Sequence, residues 1–200
     1  MPAKNNDLHG NVPDSSPVVL LLIDLINDFE FIDADELLQH TLAIAPAIVE
    51  LKRKAKKAKV SVIYVNDNFG KWQSDFSKLL DHCLNDDVKG KPLVKLLKPA
   101  KEDYSVLKPK HSGFYSTTLD VLLSYLKAKT LVLAGISGNS CVLFTASDAF
   151  MRDYNLVIAS DCIASATQEE NDNALEQMKK VLKADILPSA EIDFRKLSQS

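Results

Sequence analysis

The sequence predicts an α/β fold in which a parallel sheet carries helices on both faces. Three observations carry this expectation. Short continuous apolar runs alternate with longer amphipathic stretches, the pattern of repeated βαβ units. The apolar runs lack polar alternation, as strands buried on both faces do. The chain has 200 residues, 46% of them hydrophobic. That is the size of one domain, which roughly 100–200 residues make, and it buries on the order of 70% of its unfolded surface.

The elements follow in order. Residues 1–16 are polar and predict a flexible N-terminal segment, with a single domain over 17–200. Pro17-Val-Val-Leu-Leu-Leu-Ile-Asp24 is an apolar run ending in an acid and predicts a buried first strand. Asp35 to Lys59 repeats Leu37, Leu38, Leu42, Ile44, Ile48, Val49 and Leu51 at helical spacing, and Pro46 predicts a kink or a fresh start within it. Val60 to Val65 predicts a second strand and Asn66 to Ser77 a loop. Residues 75–98 hold two short helical patterns split by Gly90 and Pro92, and Tyr104 to Lys108 predicts a third strand.

Thr117 to Lys127 reads as a helix with threonine caps. Leu131 to Ala134 is a fourth strand, stopped by Gly135, and Asn139 to Asp153 a helix. Leu156 to Ala159 is a fifth strand. Thr167 to Leu182 is a helix opened by the box Thr167-x-x-Glu170, and Ala184 to Leu187 a sixth strand.

Composition removes several functions. The net charge of −3 gives no basic surface for nucleic acid. The one basic run, Lys52 to Lys59, closes a helix, where cations suit the dipole. No apolar segment reaches the ~18–20 residues of a membrane span. Three cysteines (Cys83, Cys141, Cys162) at unrelated spacings make no disulfide framework, and the absence of a signal-peptide pattern leaves a cytoplasmic address as the expectation. The glycines spell neither a phosphate loop nor a dinucleotide fingerprint.

Parallel sheets place ligands outside the carboxyl ends of their strands. Three reactive side chains fall there: Asp24 after strand one, Lys108 after strand three, and Cys141 in the first residues of the helix after strand four. Singly, each has an ordinary explanation: a loop cap, a surface charge and a small buried hydrophobe. Together they form an acid, a base and a thiol at one edge of one sheet. A helix N-terminus or a neighbouring cation lowers a thiol pKa, and an acid can accept its proton. The Gly135–Ser140 turn offers N–H groups to an oxyanion. Strand alternation does not separate Lys108 from Lys110.

The motifs around these residues carry a resemblance. Val19-Leu-Leu-Leu-Ile-Asp24-Leu-Ile-Asn27-Asp28-Phe29 resembles the opening of isochorismatase-like cysteine hydrolases. Lys108-Pro-Lys-His-Ser112-Gly-Phe114, Gly135-Ile-Ser-Gly-Asn-Ser-Cys141 and Ala159-Ser-Asp161-Cys-Ile-Ala164 resemble three further segments of that family, in order, over about residues 17–187. The resemblance implies a three-layer α/β/α sandwich around a six-stranded parallel sheet. It implies Asp24, Lys108 and Cys141 as the catalytic residues. It further implies a cis Ile136–Ser137 peptide that aims the Ser137 and Cys141 N–H groups at an oxyanion, and a homo-oligomer acting on a small molecule. Family spacing selects Lys108 over Lys110.

Departures narrow the expectation. Nicotinamidases of this superfamily hold a metal with an Asp and two His after strand two. Here that stretch reads Asn66-Asp67-Asn68-Phe69-Gly70-Lys71-Trp72, without His, so no metal and no cofactor are expected. Phe29, Phe69, Trp72 and Phe114 are candidate pocket walls; aromatics also cap cores from outside. Gly135-Ile-Ser137-Gly138-Asn139 misses a serine-hydrolase elbow by one place, and His111 either faces the site beside Lys108 or, as the leading expectation, has a surface role. The leading expectation is hydrolysis of a small amide or carbamoyl C–N bond through a thioester on Cys141. The alternatives are vinyl-ether hydrolysis with Asp24 as the acid, and a binding protein on the same fold.

Overall fold

Six consecutive apolar residues form β1 (Val18–Ile23), and all six are buried. Their side chains alternate between two cores. Val18, Leu20 and Leu22 enter one, and Val19, Leu21 and Ile23 the other. A strand buried on both faces belongs at the middle of a sheet. The computed structural model, which describes residues 15–32, 34–72 and 75–199, places β1 there.

The sheet adds β2 (Ser61–Asp67), β3 (Tyr104–Lys108), β4 (Thr130–Ile136), β5 (Asn155–Ala164) and β6 (Asp185–Leu187), in the order β3-β2-β1-β4-β5-β6. Every pair is parallel. Strand order therefore reverses between β1 and β4, and the crevice above them is the place for a ligand. One face is covered by α1 (Ala34–Lys57), α2 (Phe76–Asn85), α3 (Lys91–Leu97) and α7 (Phe194–Leu197). The other is covered by α4 (Leu119–Tyr125), α5 (Leu143–Phe150) and α6 (Gln168–Lys180). This is the expected three-layer sandwich around six parallel strands. No helix among the described residues is long and apolar enough to cross a membrane.

Several elements differ from expectation. α1 neither stops nor restarts at Pro46. Proline removes one helical hydrogen bond, but Leu37, Thr41 and Ala45 before it and Ile48, Leu51 and Ala55 after it are all buried. Packing on both sides outweighs the lost bond. β5 runs five residues past its predicted end at Ala159, because a register shift against β4 lets Ile163 and Ala164 rejoin the ladder at Gly135 and Ile136. The α6 capping box forms as predicted, with Thr167 accepting from the Glu170 N–H and Glu170 from the Thr167 N–H. α7 was not predicted; Asp193 caps it by accepting from the Arg195 and Lys196 N–H groups.

Most of the expected flexible segment, residues 1–14, lies outside the described residues. Ser16, at its end, is 2% exposed. Its N–H donates to Leu126 O at 2.8 Å, and its hydroxyl accepts from the Ser61 N–H at 2.9 Å. The ordered domain therefore includes Ser16.

Candidate active site

Asp24 leaves β1 with φ of 52°, a region that non-glycine residues rarely occupy but Asp tolerates best. The turn swings its carboxylate over the sheet edge. Oδ1 accepts from the Asp67 N–H at 2.7 Å, and Oδ2 meets Lys108 Nζ at 2.8 Å. Lys108 ends β3 with its side chain wholly buried. Its Nζ also donates to Cys141 Sγ at 3.3 Å and lies 3.6 Å from Asp67 Oδ2. Lys110, left open by strand alternation, is exposed. It stands beyond the end of β3, where the two-residue period no longer governs direction.

Cys141 sits in a single wide turn, Gly138–Val142, between β4 and α5. The expected helix over 139–153 is thus a π-type turn running into α5. Ser137 O accepts from the N–H groups of both Ser140 and Val142 at 3.1 Å, which flank that of Cys141. The Ile136–Ser137 peptide is cis. Gly135 enters this turn at φ of 128°; a Cβ there would lie 2.1 Å from Ile23 O. Only glycine lets β4 approach β1 so closely at the point where Asp24 leaves it.

The electrostatics correct one expectation. Cys141 was expected to have a lowered pKa. Burial, reinforced by the Asp24 carboxylate, instead pushes the thiol up to about 12, and Lys108 only partly opposes this. Burial also raises the Asp24 carboxyl above the usual carboxylate range despite Lys108. For Lys108, burial works against the charge, but Asp24, Cys141 and Asp67 outweigh it and hold the ammonium above the ordinary lysine range. At rest the site therefore holds a neutral thiol beside a cation and a strengthened base.

A cavity of about 610 Å³ lies beside Asp67, which neighbours Lys108; Asp24, Lys108 and Cys141 do not themselves line it. Phe69 and Trp72 line it, together with Asp28, Leu79, His82 and Leu107. Asp86 and Asp28 hold the His82 ring and raise its pKa. Phe29 and Phe114 depart from expectation, since neither lines this cavity. Phe29 is fully buried in the α1–α3 core, stacked on Phe31. Phe114 is buried in the opposite core beneath the Arg152 guanidinium. Among the described residues, no three His, Cys, Asp or Glu side chains gather where they would hold a metal.

Sequence reasoning favoured a surface role for His111 and left open that it faces the site beside Lys108. It is exposed, yet its Nδ1 lies 3.9 Å from Cys141 Sγ and its ring leans on Phe144 at 5.5 Å between centroids. The signal available was its place in the segment that begins at Lys108. Cys83 and Cys162 are buried and free.

Residues 18–190 match the model of the isochorismatase domain. The chain belongs to the isochorismatase family. Members of this family are hydrolases, and the protein is a hydrolase of this family. An uncharacterized isochorismatase family protein, YaaI of Bacillus subtilis, is 42% identical over 173 residues, covering 86% of this chain and 94% of its own. The ureidoacrylate amidohydrolase RutB of Methylorubrum extorquens is 38% identical over 85 residues, covering 42% of this chain and 33% of its own. The N-carbamoylsarcosine amidase structure from Thermoplasma acidophilum superposes with a TM-score of 0.70 at 24% identity, covering 88% of this chain and 98% of its own. That likeness concerns the isochorismatase-like fold.

Proposed function

We propose that this isochorismatase-family enzyme hydrolyses a small amide or carbamoyl C–N bond through a thioester on Cys141. The observation that carries it is the buried Lys108 ammonium, 2.8 Å from Asp24 and 3.3 Å from Cys141. A thiol pushed up to about 12 is not a resting thiolate. It must lose its proton as it attacks, and Asp24, raised by burial, is the base beside it. Lys108 keeps its charge and offsets the negative charge passing from carboxylate to sulfur. The Ser137 and Cys141 N–H groups serve the oxyanion. The Phe69–Trp72 cavity receives the rest of the substrate. The names of the RutB relative and the carbamoylsarcosine amidase neighbour support an amide or carbamoyl group as the electrophile.

The neutral thiol and raised Asp24 also favour a second reading, vinyl-ether hydrolysis with Asp24 as the acid. Rapid quenching during turnover separates the two. The C–N reading expects an acyl mass on the peptide that holds Cys141, and Cys141→Ala should lose at least about 10³-fold in rate. A Cys141→Ala variant that hydrolyses amide at the wild-type rate would overturn it.

A further inference from the structure

The thiol has two sides. Lys108 lies on the buried side, at 3.3 Å from Sγ, and the exposed His111 contributes Nδ1 at 3.9 Å. The placement of His111 is fastened to that of Cys141. Thr145 Oγ1 accepts from the Gly113 N–H at 3.0 Å and donates to Cys141 O at 2.7 Å. One α5 side chain thus ties the segment carrying His111 to the turn carrying the nucleophile. Ser112 Oγ bonds Asp148 on α5 and accepts from the Phe114 N–H at 3.1 Å. A Cβ on Gly113 would lie 2.8 Å from Val65 Cγ1, so the segment is seated directly on the sheet. The Phe144 ring backs the imidazole.

We infer that His111 is a second acid–base group of the reaction, serving the leaving nitrogen while Asp24 serves the sulfur. This rests on the C–N reading above. In acylation the S–C bond forms, the thiol proton passes to Asp24, and the C–N bond breaks as the nitrogen takes a proton from the His111 imidazolium. In deacylation water adds to the thioester and gives its proton to the imidazole. The C–S bond then breaks, and Asp24 returns its proton to the sulfur. One water is consumed, and both groups end as they began. The titratable and charged groups around His111 are the Cys141 thiol with Lys108 and Asp24 behind it, Lys110 in its own segment, and Asp148 on α5 with Arg152 just past its end.

The test compares His111→Gln with wild type on two substrates sharing one acyl group, taken from an amide the wild type hydrolyses. One is that amide; the other is its p-nitrophenyl ester, whose leaving group departs without a proton. In kcat/KM, which reports acylation, the variant should lose about 10²-fold or more on the amide and less than about threefold on the ester. Equal loss on both substrates would mean a structural role, and no loss on the amide would mean no role; either overturns the inference. Cys141→Ala is run alongside. If it keeps amide hydrolysis, the thioester itself is wrong and the His111 assignment falls with it. If Cys141→Ala is dead and His111→Gln is unimpaired, only the inference falls.

Discussion

Lys108 Nζ lies 2.8 Å from Asp24 Oδ2, with side-chain exposures of 0% and 8%. A charge pair this dry is held by its partners rather than by water. The same ammonium is the one cause besides hydrogen bonding that lowers the Cys141 pKa, while the Asp24 carboxylate raises it. The two neighbours thus act on the thiol with opposite sign.

That opposition is measurable by alkylation with iodoacetamide, a neutral probe, as a function of pH, with Cys83 and Cys162 first replaced by Ser. Lys108→Met removes the lowering cause, so the midpoint should rise beyond the wild type's and the rate at pH 9 should fall about tenfold or more. Asp24→Asn removes a raising cause, so the thiol should alkylate faster at pH 8 while amide turnover is lost. Lys110→Met, altering an exposed side chain, should leave the profile unchanged. A shift with Lys110→Met and none with Lys108→Met would reverse the assignment of the lysine.

The cavity walls make a separate prediction. Trp72 is 78% exposed and lines the cavity beside Phe69. Trp72→Ala should raise KM about tenfold with kcat within about twofold, the pattern of lost uniform binding. Phe29→Leu and Phe114→Leu should lower stability and leave KM unchanged, because both rings are core. A KM effect at Phe29 without one at Trp72 would move the pocket elsewhere.

Metal dependence is predicted to be absent. The exit from β2 presents Asp67 with Phe69 two residues on, and Asp67 is committed to Lys108 and the Phe69 N–H. Activity should survive exhaustive chelation. Loss that added Zn²⁺, Fe²⁺ or Mn²⁺ restores would contradict this.

Much of this site was legible because parallel sheets collect reactive residues at one edge: Asp24 and the Cys141 turn follow the apolar strands β1 and β4, and Lys108 ends β3. Lys108 and Lys110 share a strand period, so alternation alone did not separate them; the predicted strand end at Lys108, which β3 has, and the family spacing did. What escaped has physical causes. The proximity of His111 to Cys141 depends on bonds from Gly113 and Ser112 to α5, more than 30 residues away in sequence. Phe29 is apolar in either role, and only the contact with Gly90 from the α2–α3 connection shows that it is packed over. The thiol was misjudged because a nearby cation is visible in sequence, whereas the depth of burial that outweighs it is not.

Burial of the thiols also sets an alkaline limit on stability. Cys83, Cys141 and Cys162 are each pushed from an ordinary 9.0 up to about 12, with burial the leading cause. Between about pH 9 and 12 the unfolded chain releases protons that the folded chain keeps. Stability contributed by these groups is therefore constant below pH 9 and falls as pH rises through that window. The urea midpoint should drop from pH 9 upward. Replacing Cys83 and Cys162 by Ala should flatten the drop; an unchanged slope in the double variant would assign it to other groups.

Two glycines with positive φ separate conformational strain from steric exclusion. Gly70 has φ of 71° with nothing within 4 Å of a Cβ, whereas Gly135 has φ of 128° and a Cβ would lie 2.1 Å from Ile23 O and 2.7 Å from Ile23 N. Those atoms are the backbone of β1, immediately before Asp24, and cannot rotate away. Gly70→Ala carries only the strain of a left-handed residue, about 1 kcal/mol. Gly135→Ala carries strain and must also part β4 from β1, so it should cost about 2–3 kcal/mol or more in urea unfolding. The displacement would act on Asp24 and on the turn to Cys141 together, so residual folded protein should show a larger loss in kcat than in KM. Equal stability losses at the two positions would mean that the sheet edge yields, and that the close approach of β4 to β1 does not fix the geometry of the site.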